Sequence, residues 1–83
     1  MDLSSNQLDY MDITKNTAIV DVNLSRNNLI TLDLSNNTFL RKLTIDYNRV
    51  IALDLTKNTQ LTNLSLVENN IVIINLKKNI SLI

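Results

Sequence analysis

The sequence predicts a small β-rich solenoid, four turns of a 21-residue unit wound around one apolar core. Three observations carry this. Asn6, Asn27, Asn48 and Asn69 are spaced by 21 residues, and Asn16, Asn37, Asn58 and Asn79 form a second series with the same step. Apolar residues recur in the same register as apolar-x-apolar triplets, the period-2 pattern of short extended segments with one face inward. Finally, the chain has no Gly and no Pro but fourteen Asn. Asn is the residue after Gly that best tolerates positive φ, so this composition points to tight turns that all fall on Asn.

The repeats are read as 1–21, 22–42, 43–63 and 64–83, a single solenoid domain with no segment left for a cap or linker. The first starts at Met1 and Leu3 and matches through Leu8, Met11, Ile13 and Ile19. The second sets Val22 and Leu24, Asn27, Leu29, Leu32 and Leu34, Asn37 and Leu40 in order. The third repeats this as Leu43, Ile45, Asn48, Val50, Leu53, Leu55, Asn58 and Leu61, and the fourth as Leu64, Leu66, Asn69, Ile71, Ile74, Leu76, Asn79 and Leu82. No 3.6-residue apolar stripe runs long enough for a helix beyond a single turn. Stacked turns would bury the triplets in a continuous core and pair their backbones in parallel. Both ends of such a stack would be bare. All eight ladder Asn are expected to be structural. Where the coil turns inward, an Asn amide can both donate to and accept from backbone groups that water cannot reach.

Composition narrows the chemistry. Without Cys there is neither a disulfide framework nor a thiolate metal site, and without His the usual general base and commonest metal ligand are missing. Neither a catalytic residue nor a cofactor is expected. The formal charge is zero, which gives no bulk attraction to nucleic acid or to an acidic membrane. Residues 1–40 carry Asp2, Asp9, Asp12, Asp21 and Asp33 against Lys15 and Arg26, a balance of −3. Residues 41–83 carry Arg41, Lys42, Arg49, Lys57, Lys77 and Lys78 against Asp46, Asp54 and Glu68, a balance of +3. No apolar run exceeds the length of that from Ile71 to Ile74, far short of a bilayer span, and the N-terminus has no signal-peptide pattern.

With these residues in hand, the chain resembles the leucine-rich-repeat family. The pattern L-x-x-L-x-L-x-x-N-x-L appears as Leu40-R-K-Leu43-T-Ile45-D-Y-Asn48-R-Val50 and as Leu61-T-N-Leu64-S-Leu66-V-E-Asn69-N-Ile71. The remainder of each unit, LDLSNNTFL or LDLTKNTQL, is similar to the 21-residue subclass of internalin-type bacterial surface proteins. That resemblance implies a right-handed leucine-rich-repeat solenoid of the α/β horseshoe class, here β-rich with little or no helix. Its parallel sheet would line the concave face and recognise protein or glycan, often at a cell surface. Some internalin-type repeats carry Cys in the first triplet; Leu24, Ile45 and Leu66 hold that place here.

Three surfaces follow. The outward side of the sheet is expected to expose Asp21, Asn23 and Ser25, then Lys42, Thr44 and Asp46, then Asn63, Ser65 and Val67, with Arg26, Tyr47 and Glu68 at its edge. This is the candidate partner-binding face, and Tyr47 stands out because Tyr and Arg are frequent interface anchors. A second column, Ile30, Ile51 and Val72 with Asp9 in the first copy, would form an aliphatic stripe unless it folds partly under the neighbouring turn, which is the expectation. The third is Asp12, Asp33 and Asp54, ending in Asn75. Calcium would use such oxygens, but one carboxylate per turn is sparse, so a solvated ladder screened by Lys15, Lys57 and Lys78 is expected. The sequons at Asn23, Asn36, Asn63 and Asn79 are read as coincidence in an Asn-rich repeat.

The leading reading is a non-catalytic protein-interaction module, a segment of a longer cell-surface protein. The alternative is a structural segment that stacks head-to-tail through its ends, guided by the opposite charges of its two parts.

Overall fold

The computed structural model describes residues 1–75, and of residues 73 and 75 only the backbone. The Leu76, Lys77, Lys78, Asn79 and Leu82 positions of the fourth repeat lie outside the described residues, as does the side chain of Asn75. Five three-residue strands follow in order: β1 Asp21–Asn23, β2 Lys42–Thr44, β3 Ala52–Asp54, β4 Asn63–Ser65 and β5 Ile73–Asn75. No helix occurs among the described residues.

The first triplet of each repeat builds one parallel sheet in the order β1-β2-β4. Asp21 pairs with Lys42 and Lys42 with Asn63, a constant offset of one repeat, and a bridge from Asp2 to Asn23 brings in the first turn. One hydrogen bond recurs in translation along this sheet. Leu3 N donates to Asn23 O at 2.8 Å, Leu24 N to Thr44 O at 2.8 Å, and Ile45 N to Ser65 O at 3.0 Å. The second triplets pair less completely. β3 and β5 form a two-stranded parallel sheet in the same 21-residue offset, and no sheet pairing joins β3 to residues 31–33. The sheet is continuous on one side of the coil and interrupted on the other, as expected when turns fan apart on the outside of a bend.

The inward residues of turns two and three form the core. Val22, Leu24, Leu29, Leu40, Leu43, Ile45, Val50, Leu55 and Leu61 have no solvent exposure. Each stands over its equivalent one turn away, which removes apolar surface from water on both sides. In the first turn Leu3, Leu8, Met11 and Ile19 are only partly buried against this core, while Ile13 is fully inside. Leu64, Leu66, Ile71 and Ile74 are likewise partly buried.

The expectation that the tight turns fall on Asn is corrected by the backbone. Positive φ occurs at Ser5 (58°), Arg26 (59°), Tyr47 (58°) and Glu68 (56°), the residue immediately before each Asn of the first ladder. The reason is a division of labour. The Asn amide must aim inward at backbone groups, so the reversal that aims it falls one residue earlier, on a residue whose own side chain then points to solvent. A non-Gly residue there costs about 1–2 kcal/mol, and less if it is Asn.

Candidate functional site

The outward face of the β1-β2-β4 sheet carries the candidate residues in columns one turn apart. Asp21, Lys42 and Asn63 are exposed, as are Arg26, Tyr47, Val67 and Glu68. Asn23, Ser25, Thr44, Asp46 and Ser65 are only half-buried, which corrects the expectation that simple alternation would expose them all. Asn23 caps its own turn, while Ser25, Asp46 and Ser65 hold neighbouring turns to each other. Asn23 Oδ1 accepts from Ser25 N at 3.0 Å, and Ser25 Oγ accepts from Asp46 N at 3.2 Å. Asp46 Oδ1 accepts from Ser65 Oγ at 2.6 Å and from Val67 N at 2.9 Å, both in the following turn. A shallow depression of about 240 Å³ opens on this face between Met1, Asp2, Asp21, Asn23, Lys42 and Thr44. Met1 and Asp2 were not among the residues expected on the face. The 21-residue register, which sets Asp2 beside Asn23, is the signal that would have found them.

At the edge of the face the left-handed residues line up as Ser5, Arg26, Tyr47 and Glu68. The Arg26 guanidinium lies over the Tyr47 ring at 4.6 Å from its centroid, a cation–π contact between successive turns. Tyr47 is still 46% exposed.

Behind this edge the first Asn series holds the coil closed. Asn48 Nδ2 donates to Leu24 O at 2.9 Å in the preceding turn and to Ile45 O at 3.0 Å in its own, while its Oδ1 accepts from Leu29 N at 3.1 Å. Asn27 and Asn69 repeat this arrangement, with Leu8 N and Val50 N as the donors to their oxygens. Asn6 has only Leu3 O and Ser4 O within reach and is exposed, as is Asn16, so burial is not common to every Asn of the two series. In the second series the NH₂ groups of Asn37 and Asn58 reach carbonyls of the preceding turn. Asn37 donates to Ile13 O and Asn16 O, and Asn58 to Leu34 O and Asn37 O, each at 2.9–3.0 Å.

This geometry is that of a known structure. The functional domain of InlJ from Listeria monocytogenes, whose structure includes a cysteine ladder, superposes on 99% of this chain with a TM-score of 0.95 and 31% sequence identity. The chain is a leucine-rich-repeat solenoid of the internalin type. It spans 18% of that InlJ chain. Neither the family models nor the curated proteins compared with it give a match. This internalin-type solenoid has no cysteine, so the InlJ ladder has no counterpart here. Leu24 and Ile45, in the first triplets of their repeats, are fully buried aliphatic residues.

On the opposite side of the internalin-type solenoid, the acidic column proves to be a set of turn caps. Asp12 Oδ1 accepts from Thr14 N and Oγ1 at 2.9 and 2.6 Å, Asp33 Oδ1 from Ser35 N and Oγ at 3.0 and 2.6 Å, and Asp54 Oδ1 from Thr56 N and Oγ1 at 2.9 and 2.7 Å. The sequence signal is Asp-x-Ser/Thr, present three times in this column and once more at Asp2-x-Ser4, a turn in which a side-chain oxygen takes the place of a backbone acceptor. No group of three His, Cys, Asp or Glu among the described residues could hold a metal ion. The hydroxyl and N–H donors pull all three carboxylates below their usual value of 3.8, with Lys15 and Lys57 adding only a smaller Coulombic effect. A folded-state value below the unfolded one contributes stability above the unfolded pKa, and this is lost as pH falls through the folded value. The melting temperature should therefore fall as pH is lowered below about 4. A variant with Asp12→Asn, Asp33→Asn and Asp54→Asn keeps the acceptor oxygens and should show a visibly flatter dependence by circular dichroism. An unchanged dependence would assign the acid sensitivity to other carboxylates.

Beside these caps, Ile30, Ile51 and Val72 are 47%, 49% and 78% exposed. The expected partial burial holds for half of each Ile, while Val72 stands largely in solvent. Where the second triplets of turns two and three stand apart, a groove of about 480 Å³ runs past Leu32, Leu53, Asp33, Asp54 and Lys57. Among the described residues no helix is long and apolar enough to cross a membrane.

Proposed function

We propose that this solenoid is a non-catalytic protein-recognition segment of a longer cell-surface protein, and that its concave face makes the contact. The observation that supports this best is the contrast between inward and outward columns. Inward positions stay apolar from turn to turn, as in Val22, Leu43 and Leu64, whereas outward ones change charge and size, as in Asp21, Lys42 and Asn63 or Arg26, Tyr47 and Glu68. A scaffold asks nothing of those outward side chains beyond solubility, while a recognition surface needs them to differ. The face also has no His or Cys to serve as base or nucleophile.

Peptides selected by the whole chain from a displayed random library would test the assignment. Bound peptide should protect the amides of β1, β2 and β4 from hydrogen exchange. Lys42→Glu should weaken binding by about tenfold and leave the melting temperature within a few degrees, because Lys42 is exposed. Protection confined to the opposite side, or unfolding by Lys42→Glu, would count against the concave face.

A further inference from the structure

We propose that Tyr47, with the carboxylates of Asp46 and Glu68 beside it, is a built site for one basic side chain, arginine or lysine, carried by a protein partner. The inference rests on the concave-face reading and names the chemistry that face selects.

The backbone gives the first reason. Arg26, Tyr47 and Glu68 all stand in the left-handed region. Gly or Asn would sit there at lower energy, and this chain uses Asn fourteen times. At three successive turns the unfavourable φ is nevertheless carried by an Arg, a Tyr and a Glu. Beyond the Arg26–Tyr47 contact the turn itself asks for none of these identities, so the side chains themselves are the remaining reason for them. Strain retained at exposed positions points toward function.

The second reason is that the ring already accepts a guanidinium. Arg26, from the preceding turn, sits 4.6 Å from the ring centroid, which fixes the plane of Tyr47 and occupies one face. The following turn continues the same column with an acid, Glu68, whose neighbour Val67 accepts from Tyr47 N at 2.7 Å. Asp46 adds a second carboxylate. Its Oδ1 is held by Ser65 and Val67, while no hydrogen bond to Oδ2 is seen among the described residues. A partner cation approaching the exposed ring would meet its π surface, with Asp46 adjacent in sequence and Glu68 one turn on in the same column, and exposed Val67 would cover the aliphatic stem of a long basic side chain.

The test uses peptides selected by the whole chain from a random display library, with affinities then measured for variants of both partners. Selected peptides should share an Arg or Lys whose replacement by Leu lowers affinity about tenfold. Tyr47→Asn should cause the same loss, with no further loss when the peptide's basic residue is also replaced, while Tyr47→Phe binds within about twofold of the parent. Glu68→Gln should weaken binding by about fivefold. Tyr47→Asn should also raise the melting temperature, because Asn tolerates the left-handed turn, so its lost binding cannot be put down to misfolding. Peptides that protect the concave sheet but need no basic residue, or that bind Tyr47→Asn undiminished, would overturn this inference and leave the concave-face reading standing. Unfolding by Tyr47→Asn would make the ring structural and overturn it too. Peptides that map elsewhere, or none at all, would overturn both.

Discussion

Asn48→Ala should remove roughly 3 kcal/mol of stability, while Asn6→Ala, at the same place in the repeat, should cost well under 1 kcal/mol. Both are ladder residues, so the difference isolates what burial and a preceding turn add. At position 48 the substitution leaves Leu29 N, whose acceptor is Asn48 Oδ1, without a partner in the core. Leu24 O and Ile45 O each lose one of two amide donors, because Asn27 and Asn69 continue to reach them. The orphaned N–H carries most of the cost, and the two weakened carbonyls and the lost side-chain volume supply the rest. At position 6 the same bonds are exposed and water replaces them. In a domain this small, roughly 3 kcal/mol lowers the melting temperature by more than 10 °C. Urea and thermal unfolding of the two variants would measure the difference. Equal effects would mean that the amides matter through local turn geometry alone.

Leu43→Ala should cost about 2–5 kcal/mol. Leu43 has no solvent exposure and stands in register between Val22 and Leu64, so its truncation opens a cavity with a turn on either side. The backbone bonds on both sides hold the turns at their spacing and limit collapse into that cavity. Ile51→Ala removes a similar volume from a residue that is half in water, and should cost no more than about 1 kcal/mol. Unfolding in urea separates these cases. If the two costs match, the outward placement of Ile51 is wrong.

The fold was legible because its determinants are periodic. The step of 21 residues, the paired triplets and the Leu43-x-Ile45 spacing name which residues turn inward before any coordinate is known. What the sequence does not display is how one turn's side chains engage those of the next. Ser25, Asp46 and Ser65 read as outward by alternation, yet bonds between turns draw them half inside. The turns were misplaced for a related reason. Asn has the better intrinsic tolerance of positive φ, but its amide is worth more pointed at the core, so Arg26, Tyr47 and Glu68 take the strained backbone instead. Favourable hydrogen bonding outweighed local propensity. The Asp-x-Ser/Thr caps, by contrast, were fully written in the sequence as local motifs and needed no neighbouring turn to be understood.

Among the described residues the hydrogen bonds of the Asn amides span at most 24 residues, so none reaches past the adjacent turn. Length in such a chain can therefore change only in whole units. Excising residues 43–63 would join Lys42 to Leu64 and hand Asn69 the Leu24 carbonyl in place of that of Ile45, with every later residue still facing its proper side. Losing a single residue within the same stretch would rotate everything after it out of register. Gain or loss of one whole 21-residue repeat is thus a large mutation this architecture absorbs without a new folding problem, and it lengthens or shortens the surface as it does so.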